Sequence, residues 1–176
     1  MNIEDHCKRI ELILSDVDGV LTDGGVLFDN RGIESKQFHV RDGLGIKLWQ
    51  KAGFRFGLLT ARSSHIVKVR AAELDVSLVR QGFVNKLPVA KQLMADLGLR
   101  PEQVCHIGDD LTDLSLIRHV GLGVAVADAV REVRDAARYV TELAGGRGAV
   151  REVIELLLRS KNRWDDLIRN YTLQGS

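Results

Sequence analysis

Acidic side chains cluster at two points of this sequence, each directly after a short apolar run. "LILSDVDG" places Asp16 and Asp18 after the first run, and "VCHIGDDLTD" places Asp109, Asp110 and Asp113 after a later one. Carboxylates held close together repel each other unless a cation neutralises them. Mg²⁺ prefers oxygen ligands and binds one or two carboxylates together with substrate phosphate. The first hypothesis is therefore a magnesium site assembled from both clusters.

Two further polar side chains would complete a site for phosphate chemistry. Thr60 ends the apolar run of "LLTAR", and Lys86 stands where a helical pattern begins. A hydroxyl and an ammonium group can hold the non-bridging oxygens of a phosphoryl group as its charge shifts in the transition state. Asp16 could act as a nucleophile, since carboxylates form aspartyl-phosphates. Asp18, two residues later, could give a proton to the leaving alkoxide and later take one from water.

The elements that must position these residues alternate along the chain. Short apolar runs predict strands at Glu11–Ser15, Arg55–Leu59, Ser77–Val79, Gln103–Ile107, Gly123–Val126 and Tyr139–Val140. Helical patterns lie at Gly43–Lys51, Ser64–Leu74, Lys86–Leu97, Asp113–His119, Ala129–Ala136 and Ala149–Ser160. This order predicts an α/β fold, a mostly parallel sheet with helices on both faces. Ligands of such sheets bind at the carboxyl ends of the strands, where the polar residues stand.

One segment breaks the alternation of strands and helices, and the C-terminal tail allows two interpretations. The segments Gly25–Phe28 and Glu34–Val40 flank the turn-rich "DNRG" and predict an inserted β-hairpin, at about residues 25–40. The tail, about residues 162–176, is either a short docked helix or a frayed end. No repeat or linker divides the sequence, so we expect a single domain over residues 1–176.

Composition excludes several classes of protein. The 176 residues are 45% hydrophobic and 28% charged with a net charge of +1, which is typical of a globular domain. No basic block indicates nucleic-acid binding, and no apolar stretch or secretory pattern indicates a membrane or export. Cys7 and Cys105 lie far apart and have no metal-ligand spacing. A reducing compartment, the cytoplasm, is the expected location.

Four motifs together resemble the haloacid dehalogenase superfamily of phosphatases: "DVDGVLTDG", "LLTAR", "NK" and "GDDLTD". The resemblance implies a Rossmann-like core with Asp16 as nucleophile and Asp18 as acid/base. It implies that Mg²⁺ is bound by Asp16, the backbone carbonyl of Asp18 and Asp109, and that Thr60 and Lys86 bind phosphate. Asp110 and Asp113 keep open roles: one of them supports the metal from a distance or pairs with Lys86.

Three longer stretches resemble the capless family members that act on 3-deoxy-D-manno-octulosonate 8-phosphate, a precursor of lipopolysaccharide: "FHVRDGLGI", "GGRGAVRE" and "VGLGVAVADA". The resemblance implies a homotetramer in which paired hairpins and neighbouring chains replace the missing cap. Ala61 and His39 depart from the glycine and asparagine that the family often has there. A nine-carbon, sialic-type acid phosphate stays open as the substrate.

A sugar-acid phosphate also carries a carboxylate, for which arginine is the bidentate partner. Arg41, Arg62 and Arg70 are the candidates, although arginines on helices are often only solvated. The tail carries Trp164, Leu167, Ile168, Tyr171 and Leu173 beyond "GGRG", which would serve as a flexible joint. One hypothesis is therefore that the tail gates a neighbouring active site, and the alternative is that it packs on its own subunit.

Two functions from other classes are alternatives to a phosphatase. A receiver-type signalling domain also combines an acidic pair, a threonine and a lysine, but its phosphorylated aspartate lies on a later strand than that pair. A catalytically silent scaffold subunit would have no need for the complete set of catalytic side chains. Steady turnover of a phosphomonoester with Mg²⁺ would exclude both.

Overall fold

A six-stranded parallel sheet forms the centre of the computed structural model, which describes residues 2–173. Its strands are β1 (Leu12–Ser15), β4 (Arg55–Thr60), β5 (Leu78–Gln81), β6 (Val104–Gly108), β7 (Leu122–Ala125) and β8 (Tyr139–Val140), in the order β5-β4-β1-β6-β7-β8. Strands β2 (Leu27–Phe28) and β3 (Glu34–Ser35) form a separate antiparallel hairpin. The helices are α1 (Ile3–Arg9), α2 (Val40–Lys51), α3 (His65–Glu73), α4 (Lys86–Leu97), α5 (Leu114–Ile117), α6 (Arg131–Ala136), α7 (Ala149–Ser160) and α8 (Trp164–Leu173).

Helices cover both faces of the sheet, as the sequence predicts. All four residues of β1 are buried, and successive side chains of a strand point to opposite faces. Leu12 and Leu14 belong to a core cluster that contains Leu93 of α4. Ile13 belongs to the cluster on the other face, which contains Leu157 of α7. The predicted α/β architecture is therefore confirmed, and β1 carries its polar end to the middle of the sheet.

Most predicted elements differ from the observed ones by one or two residues at their ends, and three differences are larger. Helix α1 was not predicted; its N-terminus is closed by a capping box in which Asn2 and Asp5 exchange hydrogen bonds, and it buries Cys7. The hairpin's second strand ends at Ser35 rather than Val40, and α2 begins at Val40 rather than Gly43. The turn-rich "DNRG" before this stretch predicts a strand here, as the second strand of the hairpin. A tertiary contact favours the helix instead, because Asp42 in its first turn accepts a hydrogen bond from the Arg151 amide of α7.

The segment Gly145–Gly148 is not the flexible joint that its composition suggested. It packs against the loop after β1, and the Gly146 amide donates a hydrogen bond of 2.9 Å to the Val20 carbonyl. A Cβ atom on Gly145 would lie 1.8 Å from the Gly19 carbonyl oxygen. Glycine is required at Gly145 because two backbones meet there, so this segment braces the loop after β1.

The tail forms α8 up to Leu173, and residues 174–176 lie outside the described part. Trp164 and Leu167 are buried on their own chain, and the guanidinium groups of Arg151 and Arg159 lie 5.1 Å and 5.0 Å from the Trp164 ring. These two apolar side chains therefore cannot cover a neighbour's active site while α8 is docked. None of the helices within residues 2–173 is long and apolar enough to cross a membrane.

Candidate active site

The loop after β1 places Asp16 at the carboxyl edge of the sheet. The Asp16 amide continues the strand ladder by donating to the Ile107 carbonyl at 3.0 Å, so its position is fixed by the two central strands. Its side chain is buried, and Oδ1 accepts a hydrogen bond of 2.7 Å from the Val17 amide. Gly19 then turns the chain with a positive φ of 88°. One Asp16 oxygen is thus held by the backbone while the other faces the site.

Lys86 joins two carboxylates from different strand ends. Its Nζ lies 2.6 Å from Asp16 Oδ2 and 2.6 Å from Asp113 Oδ1, and its side chain is fully buried. Burial alone would lower the pKa of Lys86, but the negative charges of Asp16 and Asp113 raise that pKa above its ordinary value. The lysine is therefore a fixed positive charge beside the Asp16 carboxylate, which suits a ligand carrying negative phosphate oxygens.

His106 is a part of this network that sequence reasoning missed. Its Nδ1 lies 3.0 Å from the Leu14 carbonyl oxygen, and its Nε2 lies 2.7 Å from Asp113 Oδ1. Burial would raise the pKa of Asp113, but the hydrogen bond and charge of His106, together with Lys86, lower it below the ordinary range. The position of His106 in the sequence could have indicated this contact. His106 lies inside β6, and the alternation of side chains along a strand turns it toward the face that holds Asp113.

Asp109 lies where a metal ion would be expected. Carboxylate oxygens of Asp16, Asp109 and Asp113 all lie within 4.8 Å of one another. Asp109 Oδ1 is buried without a hydrogen-bond partner among the described residues, and burial together with the charge of Asp16 raises the pKa of Asp109 to about 7. A Cβ on Gly19 would lie 2.1 Å from Asp109 Oδ2, so glycine keeps this space open.

These donors fit a divalent cation of the Mg²⁺ type. Asp113 is already occupied by Lys86 and His106, and it also accepts from the amide of Asp109 at 3.1 Å. Among the described residues Asp109 Oδ1 has no partner and Asp16 Oδ2 has Lys86 alone, so these two carboxylates can accept a further ligand, and oxygen donors of this kind match Mg²⁺. Asp110 is exposed and accepts a hydrogen bond from the Leu111 amide at 2.7 Å. Of the two aspartates with open roles, it is Asp113 that contacts Lys86.

Thr60 and Arg62 come from the neighbouring strand end. Thr60 is the last residue of β4 and is buried, and β4 pairs with β1 in parallel so that Ser15 lies opposite Leu58. Thr60 therefore reaches the same edge as Asp16. Arg62, half exposed, places its Nε 3.9 Å from Asp18 Oδ2 and its Nη2 3.0 Å from Glu34 Oε1.

The other two candidate arginines lie apart from this cluster within the chain. Arg70 pairs with Glu73 at 2.8 Å and lies over the Phe38 ring, with 5.5 Å between its guanidinium carbon and the ring centre. Arg41 is exposed in the first turn of α2 and lines a cavity of about 450 Å³ with residues of α7. Of the three arginines, Arg62 is the one that contacts an acidic residue of the site among the described residues. Arg41 and Arg70 could bind substrate only if the substrate or another chain reached them.

Comparison with known proteins agrees with this geometry. A model of haloacid dehalogenase-like hydrolases matches residues 76–154. The 3-deoxy-D-manno-octulosonate 8-phosphate phosphatase of Escherichia coli strain K12 is 43% identical over 159 residues, which cover 90% of this chain and 85% of that enzyme.

Solved structures extend the similarity to the fold. The Moraxella catarrhalis phosphatase of the same name, crystallised with magnesium ion, phosphate ion and KDO, superposes with a TM-score of 0.95 at 39% identity, covering 96% of this chain and 97% of that one. The cobalt-bound enzyme from Haemophilus influenzae gives a TM-score of 0.86 at 39% identity, covering 89% and 92%. The chain therefore belongs to the haloacid dehalogenase-like hydrolases, within the family of 3-deoxy-D-manno-octulosonate 8-phosphate phosphatases, and it is a phosphatase.

Proposed function

We propose that this chain hydrolyses 3-deoxy-D-manno-octulosonate 8-phosphate to the free sugar acid and inorganic phosphate, as a Mg²⁺-dependent enzyme. The observation that carries the proposal is the contact of Lys86 with both Asp16 and Asp113, beside an Asp109 oxygen without a partner. The identity of 43% to the Escherichia coli enzyme over most of both chains supports this substrate. A nine-carbon, sialic-type acid phosphate is the alternative substrate.

In this proposal the reaction proceeds in two steps, formation of an aspartyl-phosphate and its hydrolysis. In the first, an Asp16 carboxylate oxygen attacks phosphorus while the bond to the sugar oxygen breaks, and that oxygen takes a proton from Asp18. In the second, water gives a proton to Asp18 and attacks the aspartyl-phosphate, which releases inorganic phosphate and restores Asp16. Lys86 and Thr60 hold the non-bridging oxygens through both steps.

Asp16, the Asp18 backbone carbonyl and Asp109 would hold Mg²⁺. When bound, the ion neutralises the negative charge that the carboxylates and the phosphoryl oxygens bring together. Arg62 lies beside Asp18 and is the candidate for the sugar-acid carboxylate. In this proposal Asp110 has no contact with substrate, and Asp113 acts by orienting Lys86.

The proposed assembly is a homotetramer in which hairpins pair between subunits. Four apolar side chains of the hairpin are exposed in the single chain: Val26 (49%), Leu27 (60%), Phe28 (60%) and Ile33 (57%). A two-stranded ribbon with such a surface is marginal alone and needs burial against other strands. The free, buried thiols of Cys7 and Cys105 support a reducing compartment, and we propose the cytoplasm.

A phosphate-release panel tests the substrate. We expect kcat/KM for the eight-carbon acid phosphate to exceed that for a nine-carbon acid phosphate and for simple sugar phosphates, with activity lost in chelator and restored by Mg²⁺. Preference for the nine-carbon acid would select the alternative, and equal rates on all substrates would indicate a promiscuous phosphatase.

Replacing the nucleophile tests the mechanism. Asp16→Asn should lower turnover by more than about 1,000-fold, a loss on the scale of removing a nucleophile in other enzymes. An amide neither attacks phosphorus nor binds Mg²⁺ as a carboxylate does. Circular dichroism should show an intact fold, and Asp110→Asn, which alters the exposed neighbour of Asp109, should keep much of the activity.

A further inference from the structure

The hairpin reaches back into the active site through two charged side chains. Glu34 lies in β3 and Lys36 directly follows that strand, and the contact between their side chains shows that both point to the same side. The Lys36 side chain is only 1% exposed. Its Nζ contacts Asp18 Oδ1 directly and lies 3.2 Å from Glu34 Oε1. A buried lysine of the hairpin is therefore bonded to the residue proposed as the acid/base.

Glu34 is itself held in place by two residues that follow β4. Its Oε2 accepts a hydrogen bond of 2.6 Å from the Ser64 hydroxyl, and its Oε1 accepts one of 3.0 Å from Arg62 Nη2. The Ser64 hydrogen bond, followed by those of Arg62 and Lys36, lowers the pKa of Glu34 to about 2. Glu34 is thus an anion at every pH at which the enzyme would work, and it fixes Lys36 between two carboxylates.

The two oxygens of Asp18 have different surroundings. Oδ1 accepts from Lys36, whereas Oδ2 is buried without a hydrogen-bond partner among the described residues and lies 3.9 Å from Arg62 Nε. Rotation of the carboxyl group would break the contact with Lys36. The ammonium group can donate to Oδ1 whether or not Oδ2 carries a proton, so the same contact persists through both steps. Proton transfer requires the donor within hydrogen-bond reach of the leaving oxygen, which makes this orientation decisive.

We propose that Lys36 is a positioning residue that holds Asp18 with Oδ2 turned toward the leaving oxygen, and that Glu34 secures Lys36 for this task. The proposal rests on the proposed function of Asp18. In the first step the leaving oxygen takes its proton from Asp18 Oδ2 as its bond to phosphorus breaks, and Lys36 donates a hydrogen bond without giving up a proton. The chain's own hairpin then completes the chain's own active site, in addition to any part it takes in assembly.

The test compares two phosphate esters of nearly equal size. p-Nitrophenolate leaves without a proton, whereas phenolate leaves poorly unless an acid protonates it. Lys36→Met removes the ammonium group but keeps an unbranched apolar stem. We expect kcat/KM for phenyl phosphate to fall about 100-fold, a typical share of general acid catalysis, and kcat/KM for p-nitrophenyl phosphate to fall less than about threefold. We compare kcat/KM because it reports the steps up to departure of the alcohol and not the later attack by water.

Two control variants separate positioning from a structural role. Lys36→Arg keeps a cationic donor and should recover most of the phenyl phosphate activity. Arg31→Met changes an exposed residue of the same hairpin and should leave both substrates unaffected. An equal fall on both substrates, or no fall on either, would overturn the proposal. If Lys36→Met does not fold, Lys36→Gln is measured instead, because its shorter amide cannot replace the ammonium contact, and the same selective loss is expected.

A double-mutant cycle shows whether Lys36 acts through Asp18. In an Asp18→Asn background, Lys36→Met should cause little further loss on phenyl phosphate, whereas a further 100-fold loss would overturn the proposal. Failure of the proposed function looks different: the wild-type protein would release no phosphate from the sugar-acid phosphate. The two artificial esters would still test Lys36 in that case.

Discussion

Asp113 accepts from two cationic or polar side chains at once, and this determines what each residue around it can do. Lys86 Nζ and His106 Nε2 both lie within 2.7 Å of the same Asp113 oxygen. A buried carboxylate without such partners would be strongly destabilising. Because Asp113 is satisfied in this way, Lys86 is free to direct its remaining donors to Asp16 and to phosphate.

Removal of the imidazole tests this arrangement. His106→Leu should lower the free energy of unfolding by about 1–3 kcal/mol, since Asp113 would lose a buried donor. It should also lower kcat, because Lys86 would shift toward the poorly satisfied Asp113. His106→Gln, whose amide can donate from nearly the same place as Nε2, is the matched control and should recover much of both. Urea denaturation and phosphate release measure the two effects, and an unchanged His106→Leu protein would contradict this role.

If Asp109 binds Mg²⁺ as proposed, its raised pKa should make magnesium binding depend on pH. Its pKa is raised to about 7, so without metal the folded protein holds a proton on Asp109 that the unfolded chain releases near pH 4. Stability of the metal-free protein should therefore fall as pH rises from about 4 to 7, where the folded state binds more protons. Mg²⁺ must displace that proton below pH 7. The rise in Tm on adding Mg²⁺ should consequently be larger at pH 8 than at pH 6, and Asp109→Asn should abolish this difference.

At the scale of elements, loops from opposite ends of the sequence meet at the active site. The segment Gly145–Gly148 precedes α7, yet Gly145 and Gly146 contact the backbone of the loop after β1. Helix α7 is in turn tied to α2 by the hydrogen bond between the Arg151 amide and Asp42. The loop that carries Asp16 and Asp18 is therefore braced by elements that contribute no residue to the acidic cluster.

A single methyl group at this brace should disturb the site. Gly145→Ala would push the new Cβ against the Gly19 carbonyl, and overpacking of this kind costs about 1–3 kcal/mol. Displacement of Gly19 would also move Asp18, so turnover should fall together with Tm. Gly25→Ala meets only the flexible side chain of Asp23 and should change both far less. Near-normal activity of Gly145→Ala would show that the loop is not braced there.

At the scale of the whole molecule, the hairpin is the part that a single chain leaves unburied. Its exposed apolar side chains lie on the same hairpin as Lys36, so one hairpin would serve both subunit assembly and catalysis. If hairpins pair between subunits, burial of the outer face would stabilise the position from which Lys36 reaches Asp18.

Phe28→Lys should disrupt the proposed tetramer. A buried, unpaired ammonium group is costly, so sedimentation velocity should show smaller species than for the wild type. Activity should fall as well, because the hairpin would lose its support. Ile3→Lys replaces a partly exposed apolar residue of α1, which precedes β1, and should change neither measurement. A monomeric wild-type protein would refute the assembly, and a fully active Phe28→Lys monomer would refute its link to catalysis.

The sequence by itself determined the parallel α/β fold and the set of polar residues that could take part in catalysis. Both follow from local information: buried strands are continuous apolar runs, and the polar residue after each run must lie at the carboxyl edge of a parallel sheet. Asp16, Thr60, Lys86 and Asp109 were found in this way, although their catalytic roles remain a proposal. Where α2 begins was decided by Asp42 reaching α7, a contact that no local pattern contains.

Only the tertiary structure decided which of these residues touch. Lys86 and Asp113 are separated by 27 positions, and Asp18 and Lys36 by 18, so their contacts arise from strand order and from the way the hairpin folds back. The same holds for His106, which is buried with its Nε2 against Asp113, and for Gly145, where glycine is required because a distant backbone lies against it. The sequence gives the residue types directly, but which residues contact each other depends on packing between elements that are far apart in sequence.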